Sequence, residues 1–196
     1  ISVVGRARDG QEALEMAPTQ VNDVVQDTVD LLERTLIGRK IQAVVQTVEG
    51  LPAIFGDSIQ LEQVITNLIV NAADAMPGGG AITVTTSLAD LAGGATRGHP
   101  LLAPGKYVVL TVSDTGTGIP EVILPRIFDP YFSTKPKGKG TGLGLGIVKA
   151  IASRAGGAVR VESVLGQGTV FSVSLPLVEN PQPVPAPAQA ATRDAG

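Results

Sequence analysis

A chain of 196 residues with 43% hydrophobic content can bury a sizeable core in one main domain, although aromatics make up only 3% and branched aliphatics must supply the packing. A formal net charge of −3 gives no general attraction for nucleic acid or an anionic membrane, so function has to come from a site. The lack of cysteine excludes a disulfide framework, an iron–sulfur cluster and a thiol nucleophile, and fits a reducing compartment.

No apolar run approaches the ~18 residues that a membrane-spanning helix needs. The chain opens on Ile1 without a leader-like segment and reads as a piece of a longer protein. Residues 1–17 look like the end of a preceding element, stopped by Pro18. From there, Val21, Val24, Val25, Leu31, Leu32 and Leu36 form a helical stripe closed by Gly38. The β-branched segment 40–48 predicts a strand. Asp57 or Ser58 can cap the next helix, which runs to about Met76 before Pro77 and three glycines break it. Segments 81–88 and 106–114 predict strands joined by a long hairpin loop over 89–105. A helix from about Leu143 to Arg154 follows a glycine-rich stretch, and 158–164 and 169–176 predict a closing hairpin. Residues 178–196, rich in Pro and Ala without apolar periodicity, read as an extended linker or tail. About five strands backed by about three helices, with mixed strand connections, predict an α+β fold, a two-layer α/β sandwich, over residues 18–177.

Four places in this region could carry chemistry. On the capped helix, Asn67, Asn71 and Asp74 share one face beside the stripe of Leu61, Val64, Ile65, Leu68, Ala72 and Ala75. Asn is a mediocre helix former, so stacking two is either a solvated polar face or a set of hard oxygen ligands suited to Mg²⁺. Asp114 ends a strand and precedes Gly116 and Gly118. This is either an ordinary strand-ending turn or a carboxylate that accepts from an exocyclic amine while the glycines let a flat ring approach. Gly138, Gly140, Gly142, Gly144 and Gly146 alternate into a helix, matching neither the P-loop nor the G-x-G-x-x-G fingerprint. Glycine-rich backbone entering a helix N-terminus is still a physical recipe for binding phosphate, and Leu143, Leu145, Ile147 and Val148 between the glycines must pack. Finally, Lys135, Lys137 and Lys139 are a solvated charge run or a basic lid over a polyphosphate, with Phe128 and Phe132 as core or as the lid's anchors.

In this order the pieces resemble the catalytic ATP-binding domain of sensor histidine kinases, within the GHKL ATPase superfamily. The resemblance covers about residues 18–177. "LEQVITNLIVNAADAM" is similar to the N box, "DTGTGIP" to the G1 box, "IFDPYFSTK" to the F box, "GKGTGLGLGIVK" to the G2 box and "GQGTVFSVSLP" to the G3 box. Any one is a moderate signal, and five in order are a strong one.

The resemblance implies ATP and Mg²⁺ as cofactors, with Asn71 as metal ligand, Asn67 assisting and Asp74 beside them. It implies that Asp114 receives the adenine amino group, that Gly116, Gly118 and Ile119 shape the pocket, and that Thr169 supports the adenine through water. Gly140, Thr141, Gly142, Leu143 and Gly144 are to present backbone to the phosphates, Phe128 to belong to the nucleotide site, and Lys135 to approach the terminal phosphate. Gly146 departs from the small hydroxyl residue usual at its point. ATP-hydrolysing members of the superfamily place a Glu four residues before the metal Asn, where this chain has Asn67. The resemblance therefore implies phosphoryl transfer to a protein histidine rather than efficient hydrolysis. His99, the one histidine, is followed by Pro in a loop and does not match the family's acceptor, so the acceptor is expected on a separate dimerisation and phosphoacceptor domain, of which residues 1–17 are a remnant or linker. Further implications are a response regulator or receiver domain as partner, a monomeric and cytoplasmic fragment, and no contact with nucleic acid or membrane. Two rivals stay open: a catalytically silent nucleotide-binding interaction module, and an ATPase with a mobile lid, which Asn67 disfavours.

Overall fold

The computed structural model describes residues 16–91, 102–135 and 140–177. Expectations for residues 1–15, the tail at 178–196, His99, Lys137, Gly138 and Lys139 lie outside the described residues. In chain order the elements are β1 (Ala17–Thr19), α1 (Val21–Gly38), β2 (Ile41–Gln46), β3 (Ile54–Gly56), α2 (Ser58–Asp74), β4 (Gly80–Asp90), β5 (Lys106–Asp114), a 3-10 helix (Glu121–Arg126), α3 (Gly144–Arg154), β6 (Ala158–Val164) and β7 (Gly168–Pro176). Five strands form one sheet in the order β2-β4-β5-β7-β6, in which only the β2–β4 pair is parallel. The expected two-layer α+β sandwich is present. A ribbon of β1 and β3 was not foreseen. Three residues per strand leave no periodicity to read, and β1 straddles the boundary expected at residue 18.

The sheet has two unlike faces because successive side chains alternate. On β5, Val108, Leu110 and Val112 are buried beneath the helices, whereas Val109, Thr111 and Ser113 on the other face are partly exposed. Thr111 and Ser172 lie 3.4 Å apart across β5 and β7 on that polar face. Helices α2 and α3 pack on the apolar face, and Val64, Ile65, Leu68, Ile69 and Val148 are fully buried there. Asp57 caps α2, accepting from the Ile59 and Gln60 amides at 2.9 and 3.4 Å.

One expectation about α1 needs correction. Leu31 is 69% exposed, while Thr28 and Val29 are buried. At about 100° per residue, the buried positions 21, 25, 28, 29 and 36 and the half-buried position 32 span one arc, and Leu31 falls about 110° from its centre. Gly38 does close the helix, as expected, although the left-handed residue lies beyond it, at Lys40 with φ 58°. The turn is held from outside, by the Gly80 amide donating to the Lys40 carbonyl at 3.2 Å.

Candidate functional site

Asp114 occupies the last position of β5, in phase with Val108, Leu110 and Val112, so strand alternation carries its carboxylate onto the covered face. It is 6% exposed, opposite Thr169 on β7. The Gly116 amide donates to its Oδ1 at 2.8 Å and the Thr169 amide also donates to the carboxylate. Burial pushes its carboxyl above the ordinary range, against the opposing effect of those two amides.

The loop after Asp114 is anchored on three sides. The Thr115 amide donates to the Ala81 carbonyl, that of Thr117 to Ala75 at the end of α2, and that of Ile119 to the Ser163 hydroxyl at 2.8 Å. A Cβ on Gly118, where φ is +70°, would stand 2.2 Å from the Val164 carbonyl oxygen, and one on Gly116 would stand 2.7 Å from that of Ala75. These glycines are needed for packing against neighbouring backbone. Ser163 also bonds the Gly168 carbonyl and the Thr169 hydroxyl. A serine within a strand gives no sequence signal for that role.

Across from this wall, Asn67, Asn71 and Asp74 line a cleft of about 630 Å³ together with Asp114 and Thr169. Spacing on α2 put the three on one face, and the α2–α3 packing turns that face to the cleft. A Cβ on Gly144 would lie 3.1 Å from Asn67 Oδ1 and 3.7 Å from Asn71 Nδ2, so the start of α3 rests against both amides. Lys135 Nζ donates to Asp74 Oδ2 at 2.6 Å and to Asn71 Oδ1 at 3.3 Å, and Arg39 Nη1 reaches Asp74 Oδ1 at 2.6 Å. Partial burial of Asp74 opposes ionisation, but Lys135 and then Arg39 outweigh it and hold the carboxyl below its ordinary range.

Among the described residues no side chain caps the first turn of α3, and Gly140, Thr141, Gly142 and Gly144 line the cleft at that end. Gly142 has φ +66°, and a Cβ there would strike the Tyr131 backbone at 2.4 Å, while its carbonyl accepts from the Tyr131 amide at 2.9 Å. Tyr131 itself is left-handed at φ 65°. This clasp joins the segment around Phe132 to the glycine loop, and nothing in the spacing announces it.

Of the other expected site residues, Gly118, Ile119 and Lys135 line the cleft, whereas Gly116, Phe128 and Leu143 are not among the residues that line it. Phe128 packs edge-on against Phe171, ring centroids 6.5 Å apart. Leu143, expected to pack, precedes the first turn of α3 and is 37% exposed, because the helix buries Val148 and Ala152 instead. The apolar wall includes Phe132, weighed above as core or as an anchor of the lid, and Ile123, Ile127 and Phe171, which sequence reading did not single out.

The cleft thus offers a buried carboxylate and apolar wall at one end, and amide oxygens facing the N-terminus of α3 at the other. Its size suits a nucleotide, and its helix N-terminus suits anionic phosphates. Among the described residues no cluster of three or more His, Cys, Asp or Glu could hold a metal. An ion at Asn71 would need oxygens from a bound phosphate and water, the habit of Mg²⁺. No helix among the described residues is long and apolar enough to cross a membrane.

Residues 56–179 match the model of the histidine kinase-, DNA gyrase B- and HSP90-like ATPases. The chain is 41% identical to sensor kinase CckA of Brucella abortus (strain 2308) over 181 residues, 92% of this chain and 19% of that protein. It is 36% identical to sensor histidine kinase ZraS of Salmonella typhi over 169 residues, 86% of this chain and 33% of that protein. The chain therefore spans a third or less of either relative. Among solved structures, full-length ShkA in complex with AMPPNP superposes with a TM-score of 0.70 at 27% identity, over 88% of this chain and 33% of that one. The catalytic domain of histidine kinase ThkA does so with a TM-score of 0.68 at 27% identity, over 83% of this chain and 95% of that one.

Proposed function

The chain belongs to the histidine kinase-, DNA gyrase B- and HSP90-like ATPase family, and from that premise we propose that it is the Mg·ATP-binding catalytic domain of a two-component sensor kinase. It passes the γ-phosphoryl group of ATP to a histidine on a separate dimerisation and phosphoacceptor domain of the same parent, from which a response regulator or receiver domain takes it. The observation that carries the reading is the pairing within one cleft of buried Asp114 with Asn71 and the open start of α3. The similarity to ShkA, solved with AMPPNP, supports a nucleotide there.

In this reading Asp114 accepts the adenine amino group, with Thr169 beside it and Phe132 and Phe171 on the apolar wall. Gly140, Thr141, Gly142 and Gly144 present backbone to the phosphates, and Lys135 neutralises charge at the terminal phosphate. Asn71 would hold Mg²⁺, with Asn67 nearby, and the ion would supply charge stabilisation of the transferring group. Asn67 cannot accept a proton from water, so transfer to a protein nucleophile is favoured over hydrolysis. The bond from the γ-phosphorus to the bridging oxygen breaks, a bond to the histidine nitrogen forms, and the electron pair stays with ADP. The domain works in the cytoplasm.

The test supplies a phosphoacceptor domain in trans and follows label from γ-labelled ATP, alongside titration with ADP and a non-hydrolysable ATP analogue. Metal-dependent binding together with transfer, both diminished in Asn71→Ala, is expected. Binding without transfer would favour the silent module, and steady phosphate release at ordinary enzyme turnover would favour an ATPase.

A further inference from the structure

Lys135, Asp74, Asn71 and Arg39 form one connected set that bears on how the cleft admits a metal ion. The Asp74 carboxylate is divided between two cations, Oδ2 to Lys135 and Oδ1 to Arg39, each at 2.6 Å. The same Lys135 ammonium donates to Asn71 Oδ1 at 3.3 Å, the oxygen assigned above to the metal. An Mg²⁺ ion bonds such an oxygen at about 2.0–2.1 Å with near-octahedral demands. An ammonium on the same amide oxygen would then lie within a few ångströms of a divalent charge, so the two cannot use that oxygen together.

The Lys135 stem has somewhere else to send its charge. It passes 3.1 Å, at Cδ, from where a Cβ on Gly140 would stand, so rotation near its tip swings Nζ from Asp74 towards the glycine loop. Asp74 is not left bare by that swing, because Arg39, from the far end of α1, remains on its other oxygen.

We propose that Asp74 is a holding site for Lys135, that the ammonium and a divalent cation occupy the Asn71 oxygen in turn, and that Arg39 is a positioning residue that eases the exchange by keeping Asp74 neutralised. The proposal rests on the nucleotide-binding reading above. It differs from a plain field effect in sign. If Asp74 and Arg39 acted only through their charges, removing the carboxylate would weaken metal binding and removing the guanidinium would strengthen it. As a holding site, Asp74 competes with the metal through Lys135, and Arg39 weakens that competition.

The experiment measures the Mg²⁺ concentration that gives half of the metal-dependent gain in affinity for a non-hydrolysable ATP analogue, on the full chain. Thermal unfolding of each variant checks the fold. Asp74→Asn is expected to lower that concentration by about three- to tenfold and Arg39→Ala to raise it by a similar factor. In a Lys135→Met background both effects should shrink to within about twofold. A raised requirement in Asp74→Asn would make Asp74 a partner of the metal's own shell and overturn the holding role. Shifts of the same size in the Lys135→Met background would also overturn it, since they would not pass through Lys135. Failure of the wild-type chain, folded, to bind any nucleotide would remove the functional reading and this inference with it. Binding with uncoupled variants would remove the inference alone.

Discussion

Asp114→Asn separates the fold from the chemistry at one position. The carboxylate accepts from the amides of Gly116 and Thr169, and an asparagine oxygen can keep the first of these bonds. What changes is the side turned to the cleft, where an NH₂ donor replaces an acceptor. An adenine amino group then meets a donor instead of a charged acceptor. A hydrogen bond to a charged group contributes about 1.5–3 kcal/mol, so ATP affinity should fall by about 10- to 150-fold. A guanine presents a carbonyl oxygen where adenine has its amino group, and the new NH₂ can donate to it. Asp114→Asn should therefore lose ATP affinity while GTP affinity holds or rises, and the preference for ATP should narrow or reverse. Parallel calorimetric titrations with ATP and GTP analogues measure both terms, and thermal unfolding shows that the fold is retained. An Asp114→Asn chain that keeps the wild-type preference for ATP would refute the assignment of Asp114 to the base.

The same substitution has a pH signature. Because the folded carboxyl of Asp114 is raised above its unfolded value, stability from this group falls as pH rises from about 4 through the raised value. The melting temperature of Asp114→Asn should therefore gain on the wild type over that window and then hold level. Asp74 runs the other way: its lowered carboxyl contributes stability that is present above about pH 4 and lost as pH falls through the depressed value. An Asp74→Asn chain should accordingly approach wild-type stability on acidification, as read by denaturant titration at a series of pH values. Gly118→Ala should cost about 1–3 kcal/mol, since it forces a left-handed residue against the Val164 carbonyl, and at about 2–4 °C per kcal/mol the melting temperature reports it. On α1, Leu31→Lys should change stability by no more than about 0.5 kcal/mol, whereas Val25→Ala, fully buried, should cost about 2–3 kcal/mol in urea unfolding.

Much of the site was legible because it depends on local periodicity. A helix carries residues four apart to one side, so Asn67 and Asn71 had to face the same way. A strand carries alternate residues to one face, so Asp114 had to follow Val112 and Leu110 beneath the helices. Leu31 shows where that logic fails, since an apolar side chain on the rim of a stripe can be left to solvent without harm to the core. Phe128 and Leu143 show what spacing leaves open. Both sit in motifs that resemble a nucleotide site, yet whether a side chain enters a cleft depends on the neighbour already there, here Phe171 for one and the turn before α3 for the other.

By itself the sequence determined the types of the longer elements, the two-layer α+β class, the strand-end position of Asp114, and the shared face of Asn67, Asn71 and Asp74. Each follows from steric rules acting over a few residues. Only the tertiary structure decided that Lys135 bridges Asp74 and Asn71, that Arg39 reaches Asp74 from the end of α1, and that Tyr131 clasps Gly142. The same holds for the need for glycine at position 118, set by the Val164 carbonyl. Those contacts join residues that are not neighbours along the chain. Their partners are chosen by how the helices and loops settle on the sheet, which no local pattern encodes.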